Sequence, residues 1–233
     1  MKQRASGIVL GVVGAIVLGF AVLAAIWQGV NAIGGLGYEP GVLKASKTGT
    51  NEATISLSTF PDSQVCHQDA NAQQIEWVSY CPTTSLEVPA NSLITVVINN
   101  YDSATKLVNP YFRQVQGTVG GVEMVNNKPM SQVSADNISH TFTLQSTPEE
   151  VHPLFVSVPI VAVPDDAPDA VTIAGNQYPR PNVISFQFRT GPAGTYIWHC
   201  YDPCGADRVP PYGFSGAMST TGFMAGTLQV TNY

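Results

Sequence analysis

Eight short runs, residues 53–58, 75–80, 92–99, 138–144, 154–163, 183–189, 195–200 and 226–231, are β-branched or alternate apolar with polar residues, and clusters of Pro, Gly, Asn and Asp separate them. A period of two turns one face of each run toward a core and the other toward solvent. No segment between the runs carries the 3.6-residue period of an amphipathic helix. A helical bundle and an α/β layer are excluded, and the pattern predicts an all-β sandwich. Residues 101–136 and 164–182 are richer in Pro, Gly and Asn. They are expected as loops longer than a sandwich needs, of the kind that carries function or an interface.

Ahead of the strands, residues 8–27 form an apolar run of about 20 residues, the length of a bilayer-spanning helix. Lys2 and Arg4 precede it and no further positive charge appears before Lys44, which orients the N-terminus to the cytoplasm and the rest of the chain outside. A signal peptide cleaved near Val30, Asn31 and Ala32 is the alternative, but its apolar region would be only ~7–15 residues. The expected organisation is a transmembrane anchor at 1–35, a linker at 36–52 and an extracytoplasmic domain at 53–233, held at the cell membrane by a single pass. Charged residues make up 11% of the chain and the net charge is −6. That balance excludes the basic stripe of a nucleic-acid partner. A surface built from Ser, Thr, Asn and Gln changes little in charge at low pH and suits an acidic medium.

The four cysteines fall into two pairs in a compartment that permits disulfides. Cys66 and Cys81 flank a polar stretch with His67 as its only imidazole and are expected to be bridged. Cys200 and Cys204 admit three states: a metal pair, a local disulfide or thiols. His67 and His152 sit in polar, loop-like contexts that predict surface side chains. His199 adjoins Cys200, and neighbours on a strand face opposite ways, so a hydrogen-bonded or surface imidazole is expected there. Trp77 and Tyr80 are expected in the core.

Three stretches carry a family resemblance. Glu87, Val88 and Pro89 lead into an apolar strand; Ile138, Ser139, His140, Thr141 and Phe142 follow; then come Gly194, Tyr196, Cys200, Cys204 and Gly205, and finally Met224, Gly226, Thr227 and Leu228. In this order they resemble subunit II of cytochrome c oxidase. The resemblance implies a cupredoxin-like Greek-key β-sandwich behind an N-terminal transmembrane helix, and a copper centre held by His140, Cys200, the carbonyl of Asp202, Cys204 and Met224. Thiolate and thioether donors suit Cu(I), and imidazole serves both oxidation states. As partners it implies the membrane, subunit I of a haem–copper oxidase or a related integral complex, and a soluble electron donor.

The family's dinuclear centre uses a second histidine. Arg208 and Thr221 occupy the two corresponding positions here, and no histidine follows His199. One copper ion is therefore expected rather than two. The expected function is an electron-transfer subunit that catalyses nothing alone. A metal-free cupredoxin retained as a structural or docking subunit and a stand-alone copper carrier are the alternatives.

Overall fold

The computed structural model describes residues 41–67, 77–105, 107–202 and 216–232. The expected anchor at 1–35 and Cys204 and Arg208 lie outside the described residues, as does the start of the expected linker. Among the described residues no helix is long and apolar enough to cross a membrane.

Strands β1 to β15 build two facing sheets and a separate hairpin. The first sheet runs β1 (Leu43–Lys44), β5 (Ser85–Pro89), β15 (Ala225–Thr231), β14 (Gly194–His199), β9 (Ile138–Ser146) and β10 (Phe155–Val161). The second runs β2 (Ser46–Gly49), β3 (Glu52–Phe60), β6 (Leu93–Asn100), β13 (Asn182–Arg189), β7 (Glu123–Val125) and β8 (Lys128–Met130), with β4 (Ser79–Cys81) added against β3. The hairpin is β11 (Asp169–Ile173) with β12 (Asn176–Pro179). After β3 and β4 in the second sheet, the chain crosses to the first at β5 and back at β6. β15 inserts parallel to β5 and antiparallel to β14. These crossovers between sheets build the expected all-β sandwich.

Period-two burial fixes the register. Ile94, Val96 and Ile98 of β6 point inward with Ile184, Phe186 and Phe188 of β13, across from Phe142, Tyr196, Trp198 and Leu228 of the other sheet. Trp198 stacks on Phe142 with ring centroids 4.8 Å apart and meets Tyr80 edge-on at 4.9 Å. Each such buried aromatic contributes roughly 1.5–3 kcal/mol of hydrophobic stabilisation.

The strand pattern was incomplete in four places. β1 and β2 lie inside the expected linker at 36–52: Leu43 pairs with Leu86, and the fully exposed β2 pairs with β3 through its backbone, which leaves no apolar signal. Of the run at 75–80, the first two residues lie outside the described ones, and the described part becomes strand at Ser79. Ser85–Pro89 is a strand in its own right. Both expected long loops contain hairpins. Asn126 and Asn127 (φ 48° and 66°) close β7–β8, and Ala174 and Gly175 (φ 50° and 88°) close β11–β12. A two-residue turn with both φ values positive matches the right-handed twist of the strands it joins.

Gly226 marks where the first sheet is most tightly closed. A Cβ there would land on the carbonyl oxygen of Thr84. That oxygen accepts from the indole Nε1 of Trp198 at 3.0 Å and from the amide of Thr227 at 3.1 Å. Gly226→Ala should push β15 off this shared acceptor and lower stability by about 1–3 kcal/mol, as overpacking does. Equilibrium unfolding in urea checks it; an unchanged midpoint would mean the strand yields freely.

Candidate metal centre

Sheet order brings the expected ligands together. β14 lies between β9 and β15, and its last residue, His199, pairs with Thr143 on one side and Ala225 on the other. Cys200, one step beyond, therefore meets the start of β9 and the residue that precedes β15. The amide of Cys200 donates to the carbonyl of Met224 at 2.9 Å, and the amide of Thr141 donates to Cys200 Sγ at 3.3 Å. The Cys200 thiol reaches the carbonyl of Asp202 at 3.4 Å. His140, Cys200, Asp202 and Met224 are all fully buried. Thus four of the five expected ligand residues converge on one end of the sandwich, and Cys204 is outside the described residues.

A residue that sequence reasoning missed completes the arrangement. Asp102 lies just past β6, and its Oδ2 is 2.9 Å from His140 Nε2. Asp102 is itself fixed: its amide donates to Asn100 Oδ1 at 3.1 Å, the Ser103 amide donates to its Oδ1 at 2.8 Å, and Val163 donates to its carbonyl at 3.0 Å. Burial disfavours a charged imidazole. The hydrogen bonds to Asp102 and Cys200, with their negative charge, outweigh that and push His140 up to about 10. With Nε2 2.9 Å from the carboxylate, the other ring nitrogen is the candidate metal donor, the usual way a ligating histidine is oriented.

The donor chemistry fits copper. One imidazole, one thiol, one backbone carbonyl and a buried thioether residue form the soft, mixed set that suits Cu(I) and Cu(II) and suits magnesium or calcium poorly. Among the described residues no group of three or more His, Cys, Asp and Glu side chains is placed to hold a metal ion. The described side-chain donors are thus two strong ones, His140 and Cys200, plus Met224.

The other expected positions sort clearly. Cys66 and Cys81 are bridged, with Cα atoms 5.5 Å apart. His199 points away from the core, with its Nδ1 3.2 Å from the Cys200 carbonyl and its ring 4.0 Å from that of Tyr201. Burial holds its pKa below the ordinary histidine value. His152 is exposed. Tyr80 is fully buried, in keeping with a core role, and Trp77 packs edge-on against Phe223 at 5.1 Å. Thr221, at one vacant histidine position, is exposed. His67 departs from expectation: it is only 6% exposed. Its ring stacks on Phe223 at 4.1 Å and its Nε2 lies 2.9 Å from the carbonyl of Gly222, contacts made far along the chain and invisible in its polar local sequence.

No family model matches the chain, and no curated protein matches it. Among solved structures, auracyanin B is 16% identical with a TM-score of 0.32, covering 80% of this chain and 94% of that one. A rusticyanin variant is 14% identical with a TM-score of 0.38, covering 90% and 93%. Rusticyanin from Thiobacillus ferrooxidans is 14% identical with a TM-score of 0.32, covering 80% and 86%. These neighbours are cupredoxins, and the likeness is one of fold.

Proposed function

We propose that this chain is a cupredoxin-type electron carrier that binds one copper ion through His140 and Cys200, assisted by Met224, the Asp202 carbonyl and Cys204, and that it serves as a subunit II-like component of a membrane oxidase. The observation that carries the reading is the buried line Asp102–His140–Cys200, with the Thr141 amide aimed at the sulfur. A carboxylate that fixes an imidazole beside a water-excluded thiol is the outer-shell arrangement of a ligating histidine.

Copper, when bound, supplies a one-electron couple. The chain's residues supply the rest. Asp102 holds the His140 tautomer and ring. The Thr141 amide stabilises negative charge on Cys200 Sγ and so favours the thiolate, the form that binds metal. Full burial of all four described ligand residues keeps water from the site and holds them in one arrangement. A buried Cys–His–Asp line also resembles a nucleophilic triad. Burial of both His140 and Cys200 denies a substrate the approach that such chemistry needs.

The apolar run at 8–27 supports membrane attachment, and the order of the resembling motifs supports a haem-bearing partner and a soluble electron donor. Titration of the purified full chain with copper, followed by optical and paramagnetic resonance spectra, tests the centre. The expected result is one copper per chain with a four-line hyperfine pattern. Two coppers sharing a seven-line pattern would overturn the single-ion reading. No uptake, together with a Cys200–Cys204 disulfide, would establish the metal-free structural role instead. Copurification with haem proteins from native membranes distinguishes an oxidase subunit from a stand-alone carrier.

A further inference from the structure

We infer that His67 is a positioning residue for Met224, and that His67 and Tyr80, beside the two cysteines of the Cys66–Cys81 bridge, clamp the methionine turn. The inference rests on the reading of Met224 as a copper ligand.

Met224 stands at the end of a turn that precedes β15, and the backbone of residues 222–224 is held from outside at every step. The His67 ring donates through Nε2 to the Gly222 carbonyl at 2.9 Å, and the Gly222 amide donates to Thr84 Oγ1 at 2.9 Å. The Tyr80 amide donates to the Phe223 carbonyl at 2.9 Å. The Met224 amide donates to Ala217 at 3.1 Å, and the Met224 carbonyl accepts from Cys200 at 2.9 Å. Gly222 itself takes φ +96°, in the left-handed region that a side chain disfavours and glycine adopts freely.

The two arms of this support flank the disulfide. His67 follows Cys66 and Tyr80 precedes Cys81, so the bridge fixes the separation of the two groups that grip Gly222 and Phe223. The His67 ring adds a face, stacked on Phe223 at 4.1 Å with 15° between planes, while Trp77 closes the other side at 5.1 Å. Both the neutral Nε2–H tautomer and the protonated ring of His67 donate from Nε2. The clamp therefore holds at low as well as at neutral pH.

Two variants separate the hydrogen bond from the packing. His67→Phe keeps the stacked ring and removes the donor; His67→Gln keeps a donor and removes the ring. Both are read in the full chain, first without metal, by the rate at which dilute hydrogen peroxide converts Met224 to its sulfoxide, with half-buried Met124 as the control for global opening. Loaded with copper, they are read by affinity, absorption spectrum and reduction potential. His67→Phe should expose Met224 to oxidation several-fold faster than in the parent while Met124 is unchanged. Copper affinity should fall on the order of tenfold, the lower range for outer-shell groups, with a shifted potential. His67→Gln should restore most of both. A His67→Phe protein with lowered melting temperature but parental Met224 oxidation, spectrum and potential would reduce His67 to a staple and overturn the inference. If the parent takes up no copper, the ligand reading falls, and the metal-free oxidation rates still decide whether His67 positions the methionine. Should His67→Phe fail to fold, His67→Leu removes the same donor with a smaller side chain and carries the same expectation.

Discussion

Cys200→Ser should abolish the copper–thiolate charge-transfer band outright and leave a chain that takes up copper only weakly. The sulfur is the sole strong anionic donor among the described ligand residues, and serine offers a hard, poorly ionised oxygen to a soft metal. The Thr141 amide, 3.3 Å from the sulfur, and the buried imidazole of His140 would then face a neutral hydroxyl. Asp102→Asn gives a graded comparison. It keeps the shape but loses the charge that fixes His140, and should weaken copper binding by about 10–100-fold while leaving the charge-transfer band in place. Copper titration with optical detection reads both. A Cys200→Ser protein that retained an intense visible band would refute the ligand assignment.

Much of the proposed site could be read from sequence because its expected ligands stand on or beside adjacent strands at recognisable motifs. His140 lies near the start of β9, Cys200 directly follows β14 and Met224 precedes β15, and strand alternation already separated Cys200 from His199. Asp102 escaped because nothing near Asn99, Asn100 and Tyr101 signals a metal site; its role comes from the packing of the end of β6 beside β9. His67 escaped for a related reason: its neighbours are polar, whereas its burial is supplied by Gly222 and Phe223 from the far end of the chain. The strands most easily lost were those with weak apolar signals, such as exposed β2, or with Asn–Asn and Ala–Gly turns buried in apparently loop-like stretches. Edge strands and short hairpins are stabilised by backbone pairing more than by an apolar face, so composition understates them.

The largest stability effect should come from Glu123, a group outside the proposed copper site. Glu123 is fully buried on β7. It faces inward like Val125 of the same strand, beside inward-facing Phe186 of β13. Burial alone pushes its carboxyl up to about 8, with no cationic group contributing. The sign follows from where the proton is held more tightly. An unfolded chain would release it near 4.5, so between that value and about 8 the folded state carries the extra proton and stability declines as pH rises. Stability is fullest at acid pH, lost progressively toward pH 8 and level above it, by on the order of 4 kcal/mol across the window. This is the reverse of the usual carboxylate, which destabilises a fold when protonated, and it accords with a surface poor in groups that titrate in acid. Glu123→Gln should flatten the decline and make the protein firmer at pH 8.5 while changing little at pH 5. Urea unfolding of parent and variant at those two pH values tests it, and a decline of equal size in both proteins would show that the carboxyl at β7 is not its source.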